Sequence, residues 1–223
     1  FMIVDKLGRR FRNLRVSLTA ACNFACTYCV PDGKRLMKAQ NEISSPDLIK
    51  AVTCLQQAAG INKLRITGGE PLVSAKFDEF LLGVMQLPLD DVSLTTNGQL
   101  LLKKSAVIRE SGISRLNISL DSLNPLRFKQ LARGGNLNTV LAGIDAMLAL
   151  GIKLKINMVP LRNQNGGDII PMLEYCLERG IELRFIELMR MGHMLHSNSF
   201  QAEFQPMASL LDTIGTRYEF ERT

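Results

Sequence analysis

Leu14-Arg15-Val16-Ser17-Leu18 alternates apolar and polar side chains and runs straight into Thr19-Ala20-Ala21-Cys22-Asn23-Phe24-Ala25-Cys26-Thr27-Tyr28-Cys29-Val30-Pro31. Alternation with a period of two marks a half-buried strand, so the stretch reads as a strand that ends in a loop carrying three thiols. Outward from it the pattern repeats. Candidate strands are Leu14–Leu18, Lys63–Thr67, Asp91–Thr95, Arg115–Ser119, Lys153–Val159 and Ile181–Ile186; candidate helices between them are Ser45–Ala59, Lys76–Gln86, Leu101–Ser111, Asn136–Leu150 and Asp168–Arg179. Gly60, Gly112, Gly151 and Gly180 each stand before an isoleucine at a helix-to-strand junction, where a left-handed glycine closes a last helical turn. The rhythm predicts an α/β fold with a parallel sheet, either doubly wound or a complete or partial barrel. Six units are too few for a full eight-stranded barrel.

The 223 residues are 46% hydrophobic and 22% charged with no linker or low-complexity block, which favours one continuous folded domain and excludes disordered, collagen-like and coiled-coil classes. No apolar run approaches the ~20 residues of a membrane-spanning helix, and Phe1 to Arg10 lacks a signal-peptide core, so a cytoplasmic protein is expected. Lys and Arg number 27 against 21 Asp and Glu; the surplus favours an anionic partner without naming it. The five cysteines, at 22, 26, 29, 54 and 176, make a poor disulfide framework.

In either architecture ligands bind where strands end, so chemistry is sought in the loops after them. The Cys22-x3-Cys26-x2-Cys29 spacing allows three readings. A structural zinc site wants four ligands, and no second cysteine pair exists. Packing as core residues sits badly with Asn23, Thr27 and Tyr28 as neighbours. An iron–sulfur cluster held at three irons leaves a fourth open to a small molecule. Thr67-Gly68-Gly69-Glu70-Pro71 after the second strand adds a turn whose bare backbone lets a ligand approach, with Glu70 and Pro71 fixing the turn.

The cysteine spacing and the glycine turn together resemble the radical S-adenosylmethionine (SAM) superfamily. Five stretches in order, Leu14 to Thr19, Leu64 to Pro71, Leu94-Thr95-Thr96-Asn97-Gly98, Asn117 to Ser122 and Arg184 to Met189, are similar to the GTP 3′,8-cyclase family within it. The resemblance implies a partial (β/α)6 TIM-like barrel of the radical SAM type. It implies a [4Fe-4S] cluster on Cys22, Cys26 and Cys29, with SAM on the open iron beside Tyr28, Gly69, Ser119 and Met189. It gives Arg15, Arg65, Thr95 and Lys155 to GTP, and singles out no catalytic residue with certainty. The implied reaction converts GTP to (8S)-3′,8-cyclo-7,8-dihydroguanosine 5′-triphosphate in molybdenum cofactor biosynthesis. An electron donor is required, a homodimer is allowed for, and neither nucleic acid nor membrane is an expected partner. The alternatives are a radical SAM enzyme acting on a peptide or tetrapyrrole, and a non-enzymatic zinc-stabilised binding domain.

Family members carry a second [4Fe-4S] cluster on three further C-terminal cysteines, and those ligands are absent from this chain. The expected division is residues 1–204 as the partial barrel and 205–223 as the start of a truncated segment, with Met207 to Tyr218 opening another helix and strand. Cys54 and Cys176 read as small core residues on helices. His193 and His196 read as surface or loop histidines, and Asn163-Gln164-Asn165-Gly166-Gly167 as a mobile polar loop.

Overall fold

Apolar and polar residues alternate through the strands, and the sheet is built on that alternation. The computed structural model describes residues 4–30, 33–34, 36–37, 39–190 and 199–221; His193 and His196 lie outside them. Strands β1 (Asn13–Ser17), β2 (Lys63–Thr67), β3 (Asp91–Thr96), β4 (Arg115–Ser119), β5 (Lys153–Met158) and β6 (Glu182–Phe185) form a sheet in the order β1-β2-β3-β4-β5-β6. Pairing is parallel between β1 and β2, β2 and β3, β3 and β4, and β5 and β6. Helices α1 (Ser45–Ala59), α2 (Phe77–Met85), α3 (Leu101–Ser111), α4 (Pro125–Ala132), α5 (Leu137–Ala149), α6 (Ile169–Arg179), α7 (Ser199–Glu203) and α8 (Met207–Gly215) complete the chain. The α/β reading therefore holds.

Two compact units are distinguished: Phe1–Asn23, Arg35–Ile118 and Asn138–Leu154 in the first, Phe24–Lys34, Ser119–Leu137 and Lys155–Thr223 in the second. In the first unit, Leu64, Ile66, Leu94, Leu116 and Ile118 from one sheet face are buried together with Phe77, Phe80, Leu101 and Ile108 from α2 and α3. Each such side chain contributes about 1.5–3 kcal/mol over exposure. The alternate strand positions, Arg15, Arg65, Thr95 and Asn117, carry polar groups. Ser44 caps α1 by accepting the Asp47 N–H, and Gly60, left-handed at φ 67°, closes it.

In the second unit, Leu131, Leu161 and Leu188 form a small apolar cluster, against which Tyr28, Val159, Phe200 and Phe204 pack. Helix α4 is absent from the sequence reading. Its start was signalled by Asn124-Pro125: Asn124 Oδ1 accepts the N–H groups of Leu126 and Arg127. At its end Arg133, just ahead of Gly134-Gly135, takes the left-handed conformation, at φ 48°. The loop at 163–167, expected to be mobile, is pinned. Asn165 is fully buried, accepts the Leu161 N–H and donates to the carbonyls of Asp121 and Val159. After α8 no strand follows among the described residues, and Cys54 is exposed rather than in the core. Cys176 is buried as expected, and burial pushes its thiol up to about 11.

Candidate functional site

The unit boundary falls inside the cysteine loop, between Asn23 and Phe24. The first limb, Thr19 to Asn23, lies against the turn that follows β2. Gly69 N–H donates to the Thr19 carbonyl and Glu70 N–H to the Ala21 carbonyl, both at 2.8 Å. A Cβ on Gly69 would run into the carbonyl oxygens of Ala20 and Ala21, and one on Gly68 into that of Thr19. The chain's own backbone thus requires bare glycines here, in addition to the ligand approach expected from sequence.

On its other side the limb is latched by Glu42. Its Oε1 accepts from Thr19 Oγ1 at 2.6 Å and from Ala20 N–H at 3.3 Å, and Lys76 pairs with Oε2 at 3.1 Å. The Thr19 hydroxyl and Lys76 hold the Glu42 carboxyl below its ordinary range. Cys22 N–H donates to the Leu36 carbonyl at 3.0 Å.

Glu70 is buried, at 1% exposure. Its carboxylate accepts Leu72 N–H at 3.0 Å and Thr96 Oγ1 at 2.7 Å on one oxygen, and Asn97 N–H at 2.7 Å on the other. Burial pushes its pKa up to about 7, against the pull of those three donors. In sequence, Glu70 reads as a turn residue only. Two of its three donors, Thr96 and Asn97, lie 26 and 27 residues downstream, beyond the reach of local pattern.

The second limb, Phe24 to Val30, belongs to the second unit and hangs on the end of α4. Ala25 N–H donates to the Ala132 carbonyl at 2.9 Å and Thr27 N–H to the Leu131 carbonyl at 3.0 Å. The rings of Phe24 and Phe128 meet edge to face at 5.8 Å. Tyr28 donates its hydroxyl to Asp121 Oδ2 at 2.8 Å, while Asp121 Oδ1 accepts Val159 N–H at 2.8 Å. Burial lifts Asp121 to about 6; burial and the Asp121 charge push the Tyr28 phenol well above its ordinary value. Asp121, which lies inside the Asn117 to Ser122 stretch, fixes the Tyr28 hydroxyl.

The remaining expected residues separate by charge environment. Arg15 and Arg65 sit opposite each other in the β1–β2 register, both exposed, and among the described residues neither makes an ion pair. Thr95 lies in β3, half-buried. Lys155, by contrast, pairs with Glu182 at 2.5 Å, and Arg184 shares the same carboxylate at 2.7 Å. Ser119 ends β4 half-buried, and Met189 is exposed.

The family profile described as "Radical SAM superfamily" matches residues 16–176. The chain belongs to the radical SAM superfamily. Three of its curated relatives are named GTP 3′,8-cyclase. That of Sulfurovum sp. (strain NBC37-1) is 41% identical over 197 residues, 88% of this chain and 60% of that protein. That of Listeria welshimeri is 37% identical over 223 residues, covering 98% and 66%, and that of Corynebacterium glutamicum (strain ATCC 13032) 39% over 198, covering 86% and 52%. The chain thus spans between about half and two thirds of these relatives' lengths. Among solved structures, SuiB of Streptococcus suis bound to S-adenosylmethionine superposes with a TM-score of 0.73 at 18% identity, over 92% of this chain and 47% of SuiB. That likeness shows the fold.

The superfamily implies a [4Fe-4S] cluster and SAM. Cys22, Cys26 and Cys29 are unbridged thiols within one loop, and thiolate is the donor an iron–sulfur centre takes, so the donor set fits by chemistry. Among the described residues, no three Cys, His, Asp or Glu side chains are already gathered as a metal would need. No helix described is long and apolar enough to cross a membrane.

Proposed function

We propose that the chain acts as a radical SAM GTP 3′,8-cyclase of molybdenum cofactor biosynthesis. The relatives' names supply the nucleotide; the observation that carries an anionic substrate is the Arg15–Arg65 pair. Two guanidinium groups on adjacent strands at matched register, with no counter-ion among the described residues, repel each other. A polyphosphate relieves that repulsion and takes paired hydrogen bonds from each fork. Thr95 adds a hydroxyl, and Lys155 contributes less because Glu182 already neutralises it.

Cys22, Cys26 and Cys29 would hold the [4Fe-4S] cluster, which with bound SAM supplies a 5′-deoxyadenosyl radical on reduction. Gly69, Tyr28, Ser119 and Met189 are assigned to SAM. The Asp121 bond holds Tyr28 in one orientation for that role, and the glycine turn holds the first limb of the cysteine loop. An external electron donor, a cytoplasmic location and a homodimer belong to the same reading.

Titration calorimetry with GTP at low salt tests it. Binding is expected to weaken with added salt, and Arg65→Ala to lose about 1.5–3 kcal/mol, at least tenfold in affinity. Absence of any nucleotide binding at low salt would overturn the assignment of GTP.

A further inference from the structure

Asn97 follows β3, is 8% exposed, and is engaged on three sides. Its backbone N–H donates to Glu70 Oε2 at 2.7 Å, its Oδ1 accepts Gln99 N–H at 3.1 Å, and its Nδ2 donates to Asn23 Oδ1 at 2.7 Å. The Gln99 bond decides the amide's orientation: the oxygen must face an N–H, which leaves the amino group for Asn23. Asn23 directly follows Cys22.

Glu70, at the other end of this chain of bonds, is held by three donors in a buried setting, where moving it would strand each of them. Asn97 therefore links a buried carboxylate held by three donors, through its backbone N–H, to the residue beside a thiol, through its side chain. A free loop would lose the entropy of ordering when it closes around a metal; a loop held beforehand has already lost it.

We propose that Asn97 is a positioning residue that ties the Cys22 end of the cysteine loop to the buried Glu70 anchor and orders that limb before a cluster is loaded. The proposal rests on the reading of Cys22 as a cluster ligand. It gives Asn97 no contact with substrate or cofactor.

Amide hydrogen exchange on the full chain without metal is the test, using wild type, Asn97→Ala, Asn23→Ala and the double variant. Asn97→Ala also removes the acceptor for Gln99, whereas Asn23→Ala removes only the tie, so agreement between the two isolates it. Amides at 20–23 are expected to exchange about five-fold faster in each single variant, from loss of one hydrogen bond, and no faster in the double. Amides in the middle of β2 should not change. Anaerobic iron and sulfide loading of the same proteins should then start more slowly in the variants. Unchanged exchange at 20–23, or additive effects in the double variant, would overturn the tie while leaving the cluster assignment standing. A wild-type chain that takes up no iron would overturn that assignment, with the exchange result still reporting on the tie.

Discussion

Glu70, buried, and Asp121, half-buried, are both carboxyl groups in loops after strands and both pushed upward in pKa by desolvation, yet they hold different things. The Glu70 carboxylate gathers three donors, from its own turn and from the end of β3, and reaches Asn23 through Asn97, while its backbone N–H donates to the Ala21 carbonyl. Asp121 accepts two donors in the second unit, one of them the hydroxyl of Tyr28 in the cysteine loop itself. The first is an anchor for backbone, the second an orienting contact for one ring. Both limbs of the loop are thus referred to an aspartate or glutamate carboxyl group, each within its own unit.

The largest effect should come from Glu70→Ala, which leaves three buried donors without an acceptor. A loss on the order of 3 kcal/mol is expected, read from denaturant unfolding. If the cost is below about 1 kcal/mol, Glu70 is no anchor and the contrast with Asp121 fails. The same residue shapes the pH dependence. Its folded pKa of about 7 lies above the unfolded value of 4.5, so between those pH values the native state binds the proton more tightly. Its contribution to stability is fully present below pH about 4.5 and is lost as pH rises through about 7. Glu70→Gln should flatten that fall. Asp121 works in the same direction, between 3.8 and about 6.

The smallest effect should come from Tyr28→Phe. Removing one hydroxyl leaves the ring against its apolar cluster and Asp121 with one donor fewer, so stability should drop by about 0.5–1.5 kcal/mol. A drop as large as that of Glu70→Ala would mean that Asp121 anchors its unit too, and the distinction would dissolve.

The strands and most helices were legible because alternation and left-handed glycine stops are local signals; Lys63–Thr67 and Ser45–Ala59 match residue for residue. Helix α4 was missed because it is only 8 residues long and ends on a left-handed Arg133 followed by Gly134-Gly135, not on the glycine-before-isoleucine junction that marks the other stops. The cysteine loop and the glycine turn were legible as motifs, but not why the glycines are bare: the carbonyls of Thr19, Ala20 and Ala21 that crowd them come from another strand's loop. Roles of Glu70, Asn97 and Asp121 were likewise invisible, since each depends on partners far away in sequence. Nor could Lys155 be told from Arg15 and Arg65 before Glu182 was seen beside it.

In the proposed function Cys22, Cys26 and Cys29 hold an iron–sulfur cluster at which SAM is cleaved. Anaerobic reconstitution of wild type and Cys26→Ala, with iron and sulfide counted per chain and 5′-deoxyadenosine measured after reduction with SAM, addresses it directly. About four iron and four sulfide per wild-type chain are expected, with 5′-deoxyadenosine formed, and both should be lost in Cys26→Ala. Zinc bound in place of iron, or 5′-deoxyadenosine at wild-type level from Cys26→Ala, would contradict the claim.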